Sequence, residues 1–470
     1  MAFLAAAAAI DITPEGGVDT HAGAAAERVA SRLDAGLLLL KGEEASVVFL
    51  SFNLCYVSPE LEAALVAPIA AATGVATADV IIATTRNLST PVPFPEVARG
   101  EYHEMLIRKL ARAAGDAASR VQPAQVRFGE GSWPSLQYNR KGVRADGTTF
   151  FRREPDRIRQ PKPVGLIDPR VPVLRVDALD GAPIALVVQY TGDPCVATNL
   201  AEPAISGDII GHACAAARAS LSLPELPILY LQGAKGDVAI KYMFAGEEKA
   251  RVEGMQLGHR IAEVANAAMP VREDAGPGVR TIRGTATLPL QPLPPVTLLE
   301  QQQAEVLRFI AAADAGDGSL DEVLGYNLLA EQPPAARRRY AERIGVWVAW
   351  ALDAAVRGLP TRRQVDVEIR ALAVDGARLL TTWPEPFGSV GHAIHAAKPR
   401  RETIFACCCG SSWPDDPGMA SWAYVPGSGD LSGNEYMTSF YHFTRFLTQY
   451  ESPAGDAIAT CGLELLHRLE

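Results

Sequence analysis

Uninterrupted apolar blocks alternate along this chain with stretches whose apolar positions recur every three or four residues. That is the signature of buried strands separated by amphipathic helices. Residues 46–54 (SVVFLSFNL) and 80–87 (VIIATTRN) predict strands, and 59–71 and 103–118 predict helices. A strand follows at 124–129, and the short apolar opening at 1–10 reads as a buried first strand rather than a signal peptide, because it lacks a basic leader. Residues 171–190 form a hairpin pattern turning at Asp180 and Gly181, and 206–221 a helix capped by Ser206 or Asp208. Further on come a strand near 228–231, one at 279–290, two or three helices up to about 357, two strands (365–374 and 377–383) and a final helix from about 454. Between 136 and 164 the chain is rich in Arg, Lys, Pro and Gly without apolar period, and it reads as a long surface loop.

Polar clusters close four of these strands: TTRN after Ala83, TGDPC after Tyr190, GAKGD after Gln232 and PEP after Trp383. In α/β proteins ligands bind outside the carboxyl ends of strands, so the four ends could meet at one site. Turns alone also demand polar residues, and periodicity does not separate the two readings.

Composition narrows the class. With 470 residues, 48% hydrophobic and 21% charged, the chain is an ordinary globular protein with no transmembrane segment. Its formal charge of -10 favours solubility and disfavours nucleic acid as a partner. Seven cysteines without C-x-x-C spacing imply neither a disulfide framework nor a zinc ribbon and fit the cytoplasm. The run Cys407, Cys408, Cys409 continues a β-type segment and reads as buried strand.

The blocks AAAAIDITPEGG, GLIDPRVPVLRVDALDGAPIALVVQYTGDP, LQGAKGD and WPEPF are similar, in order and spacing, to blocks of the neutral/alkaline non-lysosomal ceramidase family. The resemblance implies an α/β fold, a mixed β-sheet core flanked by helices like the ceramidase catalytic domain, without that family's C-terminal immunoglobulin-like domain. It divides the chain into a main lobe at 1–275, carrying most site loops, and a second lobe at 276–470 completing the same module.

The family holds zinc with two His, one Glu and one Tyr, and the metal activates a water for attack on an amide carbonyl. Carried onto this chain, the matching positions have changed. Thr85 and Asn87 in ATTRNLSTP stand where a histidine motif would be, and Asp193 precedes Pro194 where a His-Pro would be. Glu385 in PEPF and Tyr424 in AYVP match the remaining ligands, so Glu385, Tyr424 and Asp193 are the metal ligands if a metal is retained. Ala239 in GDVAIK replaces a serine implicated in catalysis, while Asp237 persists, and Asn139 and Arg140 match a family Asn-Arg pair beside the substrate carbonyl. The expectation is therefore no cofactor, or a weakly held divalent metal such as zinc.

Two carboxylates without a dication need protonation or a positive charge nearby, and Arg86 is the candidate to fill the metal's space, the alternative being that it faces solvent or caps a strand end. Candidate catalytic residues are Arg140, Asn139, Asp237 and Arg86; Thr85, Asn87, Asp193 and Cys195 are expected to contact substrate. Cys195 lacks a histidine base in the matched motifs. His392 and His395 could flank the site but fall on a strand or its exit, where structural histidines are expected. A basic stretch with Arg140, Lys141, Arg144, Arg152, Arg153, Arg157 and Arg159 would attract an anionic substrate, though Asp146, Glu154 and Asp156 make it a salt-bridged loop.

Two functions remain open. One is a repurposed hydrolase-like or acyl-transfer enzyme acting on an amide or ester bond of a small molecule; the other is an inactive relative binding a ligand through the old pocket. The loss of imidazoles and serine weighs against the ancestral mechanism, the retained polar set favours the enzyme, and homo-oligomers are compatible with either.

Overall fold

A computed structural model describes residues 3–15, 17–20, 25–92, 101–147, 149–159, 164–199, 202–271, 278–317, 322–326, 334–397, 402–410, 424–431, 440–443 and 447–469. Its first half builds one sheet from β1 (Leu4–Asp11), β2 (Asp34–Lys41), β3 (Ser46–Phe52), β4 (Val80–Thr84), β5 (Gln122–Ser132), β6 (Arg170–Ala178), β7 (Pro183–Gln189) and β8 (Ile228–Leu231). The order is β8-β7-β6-β5-β1-β2-β3-β4, with Met269–Pro270 a ninth strand on β5. Most neighbours are antiparallel; β3–β4 and β7–β8 are parallel.

The sheet bends at its middle, because β1 pairs with β5 only through Leu4 and Ala5. The bend brings β8 against β2 and β3: Ser51 Oγ donates to the Tyr230 carbonyl at 2.5 Å. Gly36 permits this approach, since a Cβ there would lie 2.9 Å from the Ile228 carbonyl oxygen.

Helices α1 (Pro59–Thr73) and α2 (Glu101–Ala118) cover β1 to β4, and α3 (Asp208–Ser220) and α4 (Glu247–Asn266) cover β6 to β8. The ends of α1 follow from local chemistry. Ser58 Oγ accepts the Leu61 amide, Pro59 starts the helix, and Gly74 closes it with φ 71°. Helix α3 differs from expectation: its cap position is Gly207, while Ser206 Oγ accepts the Asp208 amide and the Asp208 carboxylate accepts those of Val196, Ala197 and Ile209.

The second half builds a four-stranded sheet, β9 (Val279–Pro289), β10 (Gln364–Val374), β11 (Ala377–Thr382) and β12 (Thr403–Ala406), paired in that order, with β11–β12 parallel. Helices α5 (Val296–Asp314) and α6 (Pro334–Arg357) pack on each other with Phe151 and Phe387, and α7 (Gly388–Ala396) and α8 (Gly455–Arg468) lie on the sheet's outer face. One core joins the sheets, with Phe49, Val187 and Leu229 from the first packed with Leu379 and Ile404 from the second. The expected lobe boundary at 275/276 lies outside the described residues. No helix among the described residues is long and apolar enough to cross a membrane.

Three further expectations change. The stretch 136–164 is not a plain loop. Gln137–Asn139 pairs with Val238–Ile240, Lys141–Val143 pairs with Thr149–Phe151, and Glu154–Arg159 is a short helix in which Glu154 and Arg157 form an ion pair. Strands of three residues are too short to show a period in sequence. His392 and His395 lie on α7, a helix, not a strand. The cysteine run leaves the strand after Ala406, and Cys408 has φ 60°.

Candidate functional site

The four strand ends do converge. Gln232, buried after β8, ties them: its side-chain amide donates to the Thr85 carbonyl at 2.7 Å and the Gly192 carbonyl at 3.0 Å, and its oxygen accepts the Gly192 amide at 3.2 Å. The Gln232 backbone carbonyl accepts the Cys407 amide at 2.8 Å. Gly236 brings the next loop onto the Glu385 strand, its amide donating to the Pro386 carbonyl at 2.9 Å. A Cβ at Gly236 would sit 2.4 Å from the Glu385 carbonyl oxygen. Glu385–Pro386 in turn pairs in parallel with Tyr424–Val425.

At the meeting point is a cluster of five buried charged side chains. Arg140 donates to Asp193 Oδ2 at 2.7 Å, and Arg86 pairs with Glu385 Oε1 at 2.9 Å. The ammonium of Lys235 lies between the two acids, bound to Asp193 Oδ1 at 2.5 Å and to Glu385 Oε2. It also sits 5.8 Å from the centre of the Tyr424 ring. All four carboxylate oxygens therefore have a cationic partner.

For Lys235, Asp193, Arg140 and Arg86 burial opposes the charge, and the partners outweigh it. Lys235 is held well above the ordinary lysine range by Asp193 and Glu385, against its desolvation. Asp193 is likewise desolvated, yet Lys235 and Arg140 hold it below the usual carboxylate range. Arg140 and Arg86 stay charged for the same reason.

Arg86 falls where the sequence puts it, at the end of β4, with φ 67°. It reaches Glu385 but not both acids: the Asp193 oxygens belong to Arg140 and Lys235. Its Nε donates to Cys408 Sγ at 3.3 Å and its Nη1 to the Cys55 carbonyl at 3.4 Å. Cys408 lies 3.4 Å from Cys407 Sγ. Burial pushes the Cys407 thiol up, whereas at Cys408 the Cys407 hydrogen bond and the Arg86 charge overcome burial and lower it.

Thr85 and Asn87 are committed elsewhere. Thr85 Oγ1 donates to Asn53 Oδ1 at 3.0 Å, and Asn87 Nδ2 donates to Asn53 Oδ1 at 3.0 Å and to the Ser206 carbonyl at 2.7 Å. Asn139 and Asp237 form a clasp at 2.6 Å, and the other Asp237 oxygen accepts the Gly388 amide at the start of α7. Burial raises the Asp237 carboxyl to about 6 despite these bonds. Cys195 is buried, and desolvation, with Asp193 and Asp208 adding to it, holds it as a thiol. His395 stands among Asp168, Arg170 and His392 and is lowered to about 4, first by burial and then by Arg170.

Lys235 and Cys408 are the site residues that sequence reading passes over. A lysine in a glycine-rich loop reads as solvent-exposed, and a thiol after an apolar strand reads as core. The one available signal for Lys235 is its place in a strand-end loop between two acid-bearing strand ends.

This arrangement, a bent mixed sheet packed on a second sheet with charged groups gathered at strand ends, is a ceramidase-like fold. Neutral ceramidase from Pseudomonas aeruginosa superposes with a TM-score of 0.59 at 14% identity, over 100% of this chain and 74% of that one. A ceramidase complexed with C2 gives 0.63 at 14% identity, over 99% and 74%. No protein-family model matches this sequence, and no curated protein sequence does.

Proposed function

We propose that this protein acts on an acyl bond, amide or ester, of a small molecule, by a route that does not use a zinc–imidazole centre. The observation that carries the reading is the buried cluster of Arg86, Arg140, Asp193, Lys235 and Glu385 at the meeting point of the strand ends. Burying ions is a poor way to stabilise a fold, since apolar side chains of similar volume do as well or better. A five-membered cluster at the position where α/β proteins bind ligands is therefore read as a working site.

Among its members Arg140 is the group suited to an acyl oxygen or an anionic substituent. One of its nitrogens is bound to Asp193, and its buried Nε has no hydrogen-bond partner among the described residues. Asp237, near 6, is a carboxyl whose proton exchanges close to neutrality. Ala239 offers no hydroxyl, so the family's serine has no counterpart at this position.

The second reading, a ligand-binding relative without turnover, is favoured by one fact: every oxygen of Asp193 and Glu385 is engaged, which leaves neither as a free base. The seven cysteines form no disulfide, which supports work in a reducing compartment such as the cytoplasm.

A panel of short amides and esters, with and without a carboxylate substituent, tests the proposal in chelator-treated protein. Turnover that survives chelation and falls at least tenfold in Arg140→Met and Glu385→Ala supports it. Saturable binding without turnover selects the second reading, and zinc-dependent cleavage of ceramide overturns both.

A further inference from the structure

We propose that Lys235 is the resident cation of this centre, a covalently attached replacement for a divalent metal, so that the protein does not load zinc there. The inference concerns what holds the two acids together. It is independent of which acyl compound, if any, is turned over.

The donor set argues against a metal. Zinc would need carboxylate oxygens at roughly 2.0–2.2 Å in a tetrahedral shell completed by nitrogen, sulfur or oxygen donors and a water. Here Asp193 Oδ1 and Glu385 Oε2 both bind the Lys235 ammonium, and their second oxygens bind Arg140 and Arg86. A dication between them would have to displace the Lys235 ammonium, and two guanidinium groups already bind the acids' other oxygens. Thr85 and Asn87, at the positions where the resemblance expects imidazoles, are turned into hydrogen bonds with Asn53. The described residues hold no group of three or more His, Cys, Asp or Glu arranged to bind a metal.

Lys235 is also fixed in place. Its side chain is 1% exposed, its carbonyl accepts the Val238 amide at 2.8 Å, and the adjoining Gly236 amide is bonded to Pro386. Removing the ammonium from between the acids would leave two buried carboxylates facing each other across its place. Lys235 is therefore a positioning residue: it sets the separation and orientation of Asp193 and Glu385, and through them of Arg140 and Arg86.

The test compares the wild-type protein with Lys235→Ala, using elemental analysis after purification without chelator and melting curves with and without zinc chloride. The wild type is expected to carry substoichiometric zinc and to melt at the same temperature with zinc, with chelator or with neither. Lys235→Ala is expected to melt several degrees lower and to recover part of that loss when zinc is added, a response that a merely structural lysine would not produce. One tightly held zinc per wild-type chain overturns the proposal, as does a Lys235→Ala variant that melts like the wild type. Should the variant fail to fold, calorimetric titration of the wild type with zinc decides alone: no binding at the centre supports the assignment, and unit stoichiometry removes it. A failed substrate screen leaves these readings untouched, so the two proposals fall separately.

Discussion

Replacing Lys235 by methionine keeps most of the side-chain volume and removes only the charge, which makes it the sharpest probe of the cluster. Uncovering one oxygen on each of two buried acids should cost about 3–5 kcal/mol at neutral pH, measured by chemical denaturation. The sign with pH follows from Asp193, whose folded-state pKa is depressed. Its contribution is present above the ordinary carboxylate range and is lost as pH falls through the folded value. The gap between wild type and Lys235→Met is therefore expected to be widest near pH 7 and to narrow below about pH 4. Asp237 behaves oppositely. Its folded pKa is raised to about 6, so the stability attached to its protonated form is complete below the unfolded value and lost as pH rises through 6. Carboxyl NMR should show two buried acids, Asp237 and Asp208, titrating near 6, the first signal vanishing in Asp237→Asn, and a midpoint for Asp237 in the ordinary range would contradict the burial described here.

Between elements, the decisive contacts are made by residues that carry no charge. Gln232→Leu would strip partners from the Thr85 and Gly192 carbonyls and the Gly192 amide, at about 1–3 kcal/mol for each buried group left unsatisfied. Gly236→Ala would drive a methyl into the Glu385 carbonyl and is expected to destabilise by about 1–3 kcal/mol while lowering ligand affinity or turnover, because the loop bearing Lys235 must back away. This is also the scale at which the sequence was most and least informative. Long apolar runs such as β3 and β4, and periodic segments such as α1 and α2, are legible because burial imposes their pattern. The short pairings within 136–164 and the helix under His392 and His395 are set by contacts with distant segments, among them the bond from Gly388 to Asp237. The polar strand ends could be named from sequence, including Arg86, Asp193 and Glu385, whereas Arg140 came from the family resemblance, in a stretch read as a surface loop. Which cation meets which acid could not, because that depends on how the second sheet docks on the first.

For the whole molecule, the Lys235 bridge has a consequence in time. Its two ion pairs span 42 and 150 residues of sequence, and the Arg86 contact with Cys408 spans 322. Contacts of such separation are entropically costly to close early, and chains dominated by them fold slowly. Asp193 and Lys235 belong to loops of the first sheet, whereas Glu385 and Cys408 follow strands of the second. Lys235 and Asp193 both lie in the first half of the chain, but the ammonium meets its second acid only when the strands of the second sheet have docked. A nascent chain halted before Glu385 would leave Lys235 without its second acid, so completion of the centre reports that both halves have arrived in register.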